Sequence, residues 1–231
     1  MKQSIIFLNS FLMMFFMTEI LTAQNDDWAN LNRYKDENFK IGSLAENENR
    51  IVFMGNSITE GWLQINPEFF KDKPYLDRGI SGQTTPQMLV RFRQDVVNLK
   101  PKAVVILAGT NDIAGNTGPS TLEMIEDNIA SMVEIAKANN IKVLLCSVLP
   151  AFDYPWKPGL NPAEKIVELN KWIKNYCEEN KLIYVDYFTP MADERNGLKK
   201  EYSEDGVHPN EDGYKVMAPL VEEAIEEVLS E

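Results

Sequence analysis

Residues 51–60, Ile51-Val52-Phe53-Met54-Gly55-Asn56-Ser57-Ile58-Thr59-Glu60, hold a short apolar run that stops at a glycine and gives way to a polar serine segment. A buried strand over Ile51 to Met54, a turn at Gly55-Asn56 and a helix opening at Ser57 put that serine at the carboxyl end of a strand. Open α/β sheets keep their ligands at that edge. The same residues fit a second description. Ser57-Ile58-Thr59-Glu60 has the S-x-x-E spacing of a capping box, in which the serine serves helix stability alone. The stretch by itself leaves both readings open, and the segment that separates them lies far down the chain, at Asp205-Gly206-Val207-His208.

Outward from Ile51, apolar runs alternate with helical spacing. Upstream, Asp27 to Phe39 reads as an amphipathic helix carrying Trp28, Leu31 and Tyr34 on one side. Downstream, Tyr75 to Arg78 is a short strand ending in Gly79-Ile80-Ser81-Gly82-Gln83-Thr84-Thr85. Met88, Leu89, Phe92, Val96 and Leu99 mark a helix over Pro86 to Leu99. Ala103 to Ala108 is an unalternating apolar run, as expected of a strand covered on both faces, and it ends in Gly109-Thr110-Asn111-Asp112. Leu122, Ile125, Ile129, Met132, Val133 and Ala136 form the next helical face, up to Asn139-Asn140. A strand over Ile141 to Val148, a helix through Ile166 to Cys177, a strand over Leu182 to Val185 and a closing helix from Tyr214 to Val228 complete the order. Such alternation predicts an α/β fold with a parallel sheet, right-handed crossovers and helices on both faces.

Composition bounds the rest. With 231 residues, 44% hydrophobic and 25% charged, the chain suits one α/β domain over residues 24–231. A net charge of −12 and the lack of a basic stripe argue against a nucleic-acid partner. Met1 to Ala23 has the layout of a secretory signal peptide: a lysine, an interrupted apolar run and a small residue at Ala23. That predicts a secreted or periplasmic protein cleaved after Ala23, and the run is too short and broken for a membrane span. Cys146 lies in an apolar run and Cys177 in a helical pattern, so buried free thiols are expected rather than a bridge. With one histidine in the chain, no metal set is expected.

In a parallel sheet every strand's carboxyl end lies on one edge, which gathers Ser57, Gly82, Asn111, the loop Leu149 to Asn161 and the segment from Tyr187 to Pro209. A serine hydroxyl must lose its proton to a base as it attacks, and the base must be held in one tautomer. His208 is the sole histidine, and Asp205, three residues earlier across a Gly-Val turn, can accept from its ring. The developing oxyanion needs preorganised donors. Backbone N–H groups at Ser57 and Gly82 and the Asn111 amide suit that role. Each part also has a duller account: a turn at Asp205-Gly206, a helix start at Pro209-Asn210, a loop glycine at Gly82, a polar stop at Asn111-Asp112.

Four blocks, Gly55-Asn56-Ser57-Ile58-Thr59, Gly79-Ile80-Ser81-Gly82-Gln83-Thr84-Thr85, Gly109-Thr110-Asn111-Asp112 and Asp205-Gly206-Val207-His208-Pro209-Asn210, come in the order of the SGNH or GDSL-type hydrolases, which the chain resembles from Ile51 to the closing helix. The resemblance implies a three-layer α/β/α, flavodoxin-like fold with a five-stranded parallel sheet and esterase or lipase chemistry without metal or cofactor. It implies Ser57 as nucleophile, Asp205 and His208 completing the triad, and Ser57, Gly82 and Asn111 as the oxyanion hole. Asn56 departs from the family name, which has Asp before the serine; a loop-holding role is expected. Thr59 in place of a glycine argues against the G-x-S-x-G elbow of α/β-hydrolases.

Phe152, Tyr154 and Trp156, alternating with prolines in the loop after the fourth strand, are candidate substrate contacts that either stack on a sugar or line an acyl pocket, or else merely close the loop onto the core. Arg78 could steer an anion, though a surface or paired arginine is the commoner case. The family suggests a small-molecule or oligosaccharide ester as substrate, an acetyl ester on a sugar first, with lysophospholipid or acyl-thioester cleavage second. A carbohydrate-binding module without turnover is a further alternative.

Overall fold

The computed structural model describes residues 27–41 and 49–230; the expected leader and cleavage site lie outside the described residues. Five strands, β1 (Ile51–Gly55), β2 (Tyr75–Gly79), β3 (Ala103–Ile106), β4 (Lys142–Cys146) and β5 (Ile183–Val185), form one parallel sheet in the order β2-β1-β3-β4-β5. This is the flavodoxin order. Its switch point falls at β1, which pairs with β2 through Ile51↔Tyr75 and with β3 through Ile51↔Ala103.

Alternate residues of each strand enter two cores. Val52, Met54, Val104, Ile106 and Leu145 face α3 (Thr85–Asp95), α5 (Leu122–Ala138) and α6 (Ala163–Asn180). Phe53, Val105, Leu144 and Cys146 face α2 (Ser57–Ile65) and α8 (Glu211–Ser230). The second core is rich in rings: Trp62 stacks on Phe69 at 4.5 Å and on Tyr214 at 5.2 Å, and the Tyr214 hydroxyl donates to Ile58 O at 2.8 Å, fastening α8 to α2. Short helices α1 (Lys35–Ile41), α4 (Thr110–Ile113) and α7 (Phe188–Met191) complete the fold. No described helix is long and apolar enough to cross a membrane. Cys146 and Cys177 are buried and free.

The helix expected over Asp27 to Phe39 is only half present. The Asp27 carboxylate accepts the Leu31 and Asn32 N–H groups at 2.7 and 2.8 Å, and Asn30 takes a left-handed φ of 54°, so residues 27–34 turn and the helix begins at Lys35. The carbonyls this frees accept from side chains of α3 and the loop before it: Gln87 Nε2 to Trp28 O, Gln83 Nε2 to Ala29 O and Gln94 Nε2 to Leu31 O. The sequence pattern marked the apolar residues but not this competing use of the backbone.

Candidate active site

Gly55 ends β1 because α2 comes too close for a side chain: a Cβ there lies 1.9 Å from Thr59 Oγ1, and one at Gly79 lies 2.1 Å from Glu60 N. The two glycines let the first turn of α2 press on the sheet edge. Asn56, not Ser57, caps the helix, its Oδ1 accepting Ile58 N–H at 3.2 Å. Glu60 turns away to accept Ser81 N–H at 2.9 Å and the Ser81 hydroxyl, with Arg33 beside it at 3.2 Å. The capping-box reading of Ser57 therefore fails, and its hydroxyl is free for another partner.

That partner is His208, whose Nε2 lies 2.9 Å from Ser57 Oγ. On its other side Nδ1 lies 2.6 Å from Asp205 Oδ2, and Asp205 Oδ1 accepts the backbone N–H groups of His208 and Val207 at 2.8 and 2.9 Å. Burial raises the Asp205 pKa, but the hydrogen bonds from His208 and Val207 outweigh it and hold the carboxyl below its usual value. The aspartate stays ionised and fixes the ring with Nδ1 protonated, leaving Nε2 to accept. Both side chains are 39% exposed, so a ligand can reach them. Ser203 is a member that sequence spacing did not reveal. Its hydroxyl donates to Asp205 Oδ1 at 3.1 Å and accepts Gly206 N–H at 2.9 Å, which closes the turn.

The glycine loop meets the serine turn through Ile80 N–H to Gly55 O at 3.2 Å. Gly82 has φ +77°, a conformation L side chains rarely adopt, and its carbonyl accepts from Asn116 Nδ2 at 3.1 Å. Asn111 is buried and donates one amide hydrogen to Gln83 O at 2.9 Å. Among the described residues, the Ser57 and Gly82 N–H groups and the second Asn111 amide hydrogen donate to no protein acceptor. Behind them, Asp112 accepts Thr85 N–H at 3.0 Å, which locks the start of α3 to α4.

The four candidate substrate residues divide. Trp156 is 45% exposed, with its ring centroid 5.9 Å from that of His208, and it stacks on Tyr154 at 5.1 Å. Tyr154 is wholly buried and bonds Thr110 through its hydroxyl, so it supports Trp156 rather than meeting a ligand itself. Phe152 is exposed, with the Arg195 guanidinium 4.6 Å from its ring. Arg78 is corrected: it is 1% exposed, donates to Asn38 Oδ1 and Asp77 O, and lies 3.1 Å from Glu37, so its charge is engaged within the fold.

A hydroxyl, an imidazole and a carboxylate stand in relay at the carboxyl edge of a parallel sheet, beside unclaimed N–H donors, an arrangement suited to acyl transfer through the serine. The chain belongs to the GDSL-like lipase/acylhydrolase family, whose model matches residues 53–216. It is 50% identical to a GDSL-like lipase of known structure from Bacteroides thetaiotaomicron, over 87% of this chain and 99% of that one, with a TM-score of 0.85. Among characterised sequences it is similar to an acetylxylan esterase from Xylanibacter ruminicola, 27% identical over 80% of this chain and 45% of that protein. It is also similar to the esterase TesA of Pseudomonas aeruginosa, 27% identical over 68% of this chain and 73% of the other. The chain thus spans less than half the length of the acetylxylan esterase.

Proposed function

We propose that the chain is a secreted esterase that removes a short acyl group, acetyl foremost, from a carbohydrate through an acyl-enzyme on Ser57. The observation that carries this reading is the relay from Ser57 Oγ through His208 to Asp205, at 2.9 and 2.6 Å. His208 takes the serine proton as Oγ attacks the ester carbonyl. The Ser57 and Gly82 N–H groups and the Asn111 amide receive the oxyanion. His208 then returns the proton to the leaving alcohol, and water repeats the cycle to free the acid and Ser57. Ligand selectivity for a sugar is supported by position: proton return requires the alcohol to lie beside His208, and there the Trp156 ring stands half exposed. The leader at residues 1–23 is the basis for secretion, with residues 24–231 as one hydrolase domain.

The test is acetate release from acetylated xylo-oligosaccharides, set against hydrolysis of 4-nitrophenyl acetate, butyrate and longer esters. Preference for acetyl and for the sugar supports the proposal; preference for long chains overturns it in favour of lipid or thioester cleavage. Sugar binding without any ester turnover overturns the enzyme reading.

A further inference from the structure

We infer that Arg91 and Gln83, neither of which reaches the substrate, are positioning residues that set the spacing of the oxyanion donors. The inference rests on the oxyanion-hole assignment above. Arg91 lies on α3, wholly buried at 0% exposure. Its Nη2 donates to Gly55 O at 2.9 Å, two residues before Ser57, and its Nε donates to Gln83 Oε1 at 2.6 Å. Its Nη1 pairs with Asp95 at 2.9 Å, and Asp95 in turn accepts Asn38 Nδ2 at 2.6 Å. Gln83 directly follows Gly82. Its backbone carbonyl accepts Asn111 Nδ2 at 2.9 Å and its side-chain Nε2 donates to Ala29 O at 2.8 Å. One guanidinium therefore tethers the serine turn and the glycine turn, and the glutamine it grips holds the third donor.

The chemistry of the group explains why this fixes geometry. A guanidinium presents donors at set angles in one plane, so its acceptors cannot drift independently. In a dry interior every alternative arrangement leaves a polar group or a charge unpaired, which selects a single arrangement of the network. Steric packing supplies no such restraint at Gly82, where a Cβ has no neighbour within 4 Å. An oxyanion hole needs its donors within a few tenths of an ångström of their working positions, so a tether of this kind acts on kcat rather than on ground-state binding.

A double-mutant cycle on the full chain, with 4-nitrophenyl acetate as substrate and circular dichroism to check the fold, tests the inference. Gln83→Ala should lower kcat by about tenfold or more with KM within about threefold. Combined with Asn111→Ala, the loss should fall short of the product of the two single losses by at least about threefold, because both act on one amide. The inference is overturned if Gln83→Ala leaves kcat within about threefold while Asn111→Ala is crippled, or if the two losses multiply. A silent Asn111→Ala overturns the oxyanion assignment itself and this inference with it. Should Gln83→Ala lose its fold, Gln83→Met, which keeps the volume, replaces it in the cycle with the same outcomes.

Discussion

Asn56 shows how much one side chain decides at this edge. Its amide oxygen does the capping that the sequence offered to Ser57, and the serine is thereby left to the histidine. Asn56→Ala should cost about 1 kcal/mol of stability, read by urea denaturation, as loss of an N-cap does. Ser57→Ala and His208→Ala should each lower kcat by about 10⁴ with the circular dichroism spectrum unchanged, since each removes a member of the relay. Retention of more than a tenth of the rate by either variant would reject the assignment. That Ser57, Asp205 and His208 would meet was legible because the proposed chemistry demands those residue types and the four motif blocks frame them. Ser203 was not: a serine two residues before an aspartate is an ordinary turn residue until the backbone folds back on it.

At the scale of elements, the site exists because α2 can lie against the ends of β1 and β2. Gly55→Ala forces a methyl to within 1.9 Å of Thr59 Oγ1, and Gly79→Ala drives one into the Glu60 backbone. The Gly79 clash is with main chain and has no flexible atom to yield. Gly79→Ala should therefore destabilise the protein more than Gly55→Ala, by a few kcal/mol in thermal or urea unfolding, as overpacking does. The aromatic loop is likewise held by its own backbone. Asp153 accepts the N–H groups of Tyr154, Gly159 and Leu160 at 2.9, 2.6 and 3.2 Å, and Lys157 Nζ donates to Ala114 O at 2.7 Å. Asp153→Ala releases those three donors and loosens Trp156. The ratio of kcat/KM on acetylated xylo-oligosaccharide to that on 4-nitrophenyl acetate should then fall about tenfold, the larger substrate alone depending on a rigid platform. An unchanged ratio would remove the loop from substrate selection.

For the molecule as a whole, two buried carboxylates set the pH dependence of stability. Burial pushes Asp77 up to about 7 and Asp112 up to about 6, from an ordinary 3.8. Asp77 Oδ2 has no hydrogen-bond partner, while Oδ1 accepts Gly79 N–H at 2.7 Å. Between 3.8 and those raised values the folded state binds protons that the unfolded chain has released, so stability falls as pH rises through the window. Asp205, held low, contributes the opposite sign only in more acid solution. Urea midpoints measured from pH 5 to pH 8 should therefore decline, and Asp77→Asn should flatten that slope while keeping the acceptor for Gly79. A slope left unchanged above about pH 6, beyond the Asp112 window, would show that Asp77 is not its source.

The sequence by itself determined the alternation of strands and helices and the parallel sheet, and it singled out the serine, histidine and aspartate of the proposed relay, because hydrophobic period and residue chemistry are local properties. Tertiary structure decided which residue caps α2, that Tyr154 and Arg78 are buried while Trp156 stands beside His208, and that residues 27–34 form a hydrogen-bonded turn segment instead of a helix. Those outcomes depend on which distant partner claims a side chain or a carbonyl, and that competition is settled only when the sheet brings the partners together.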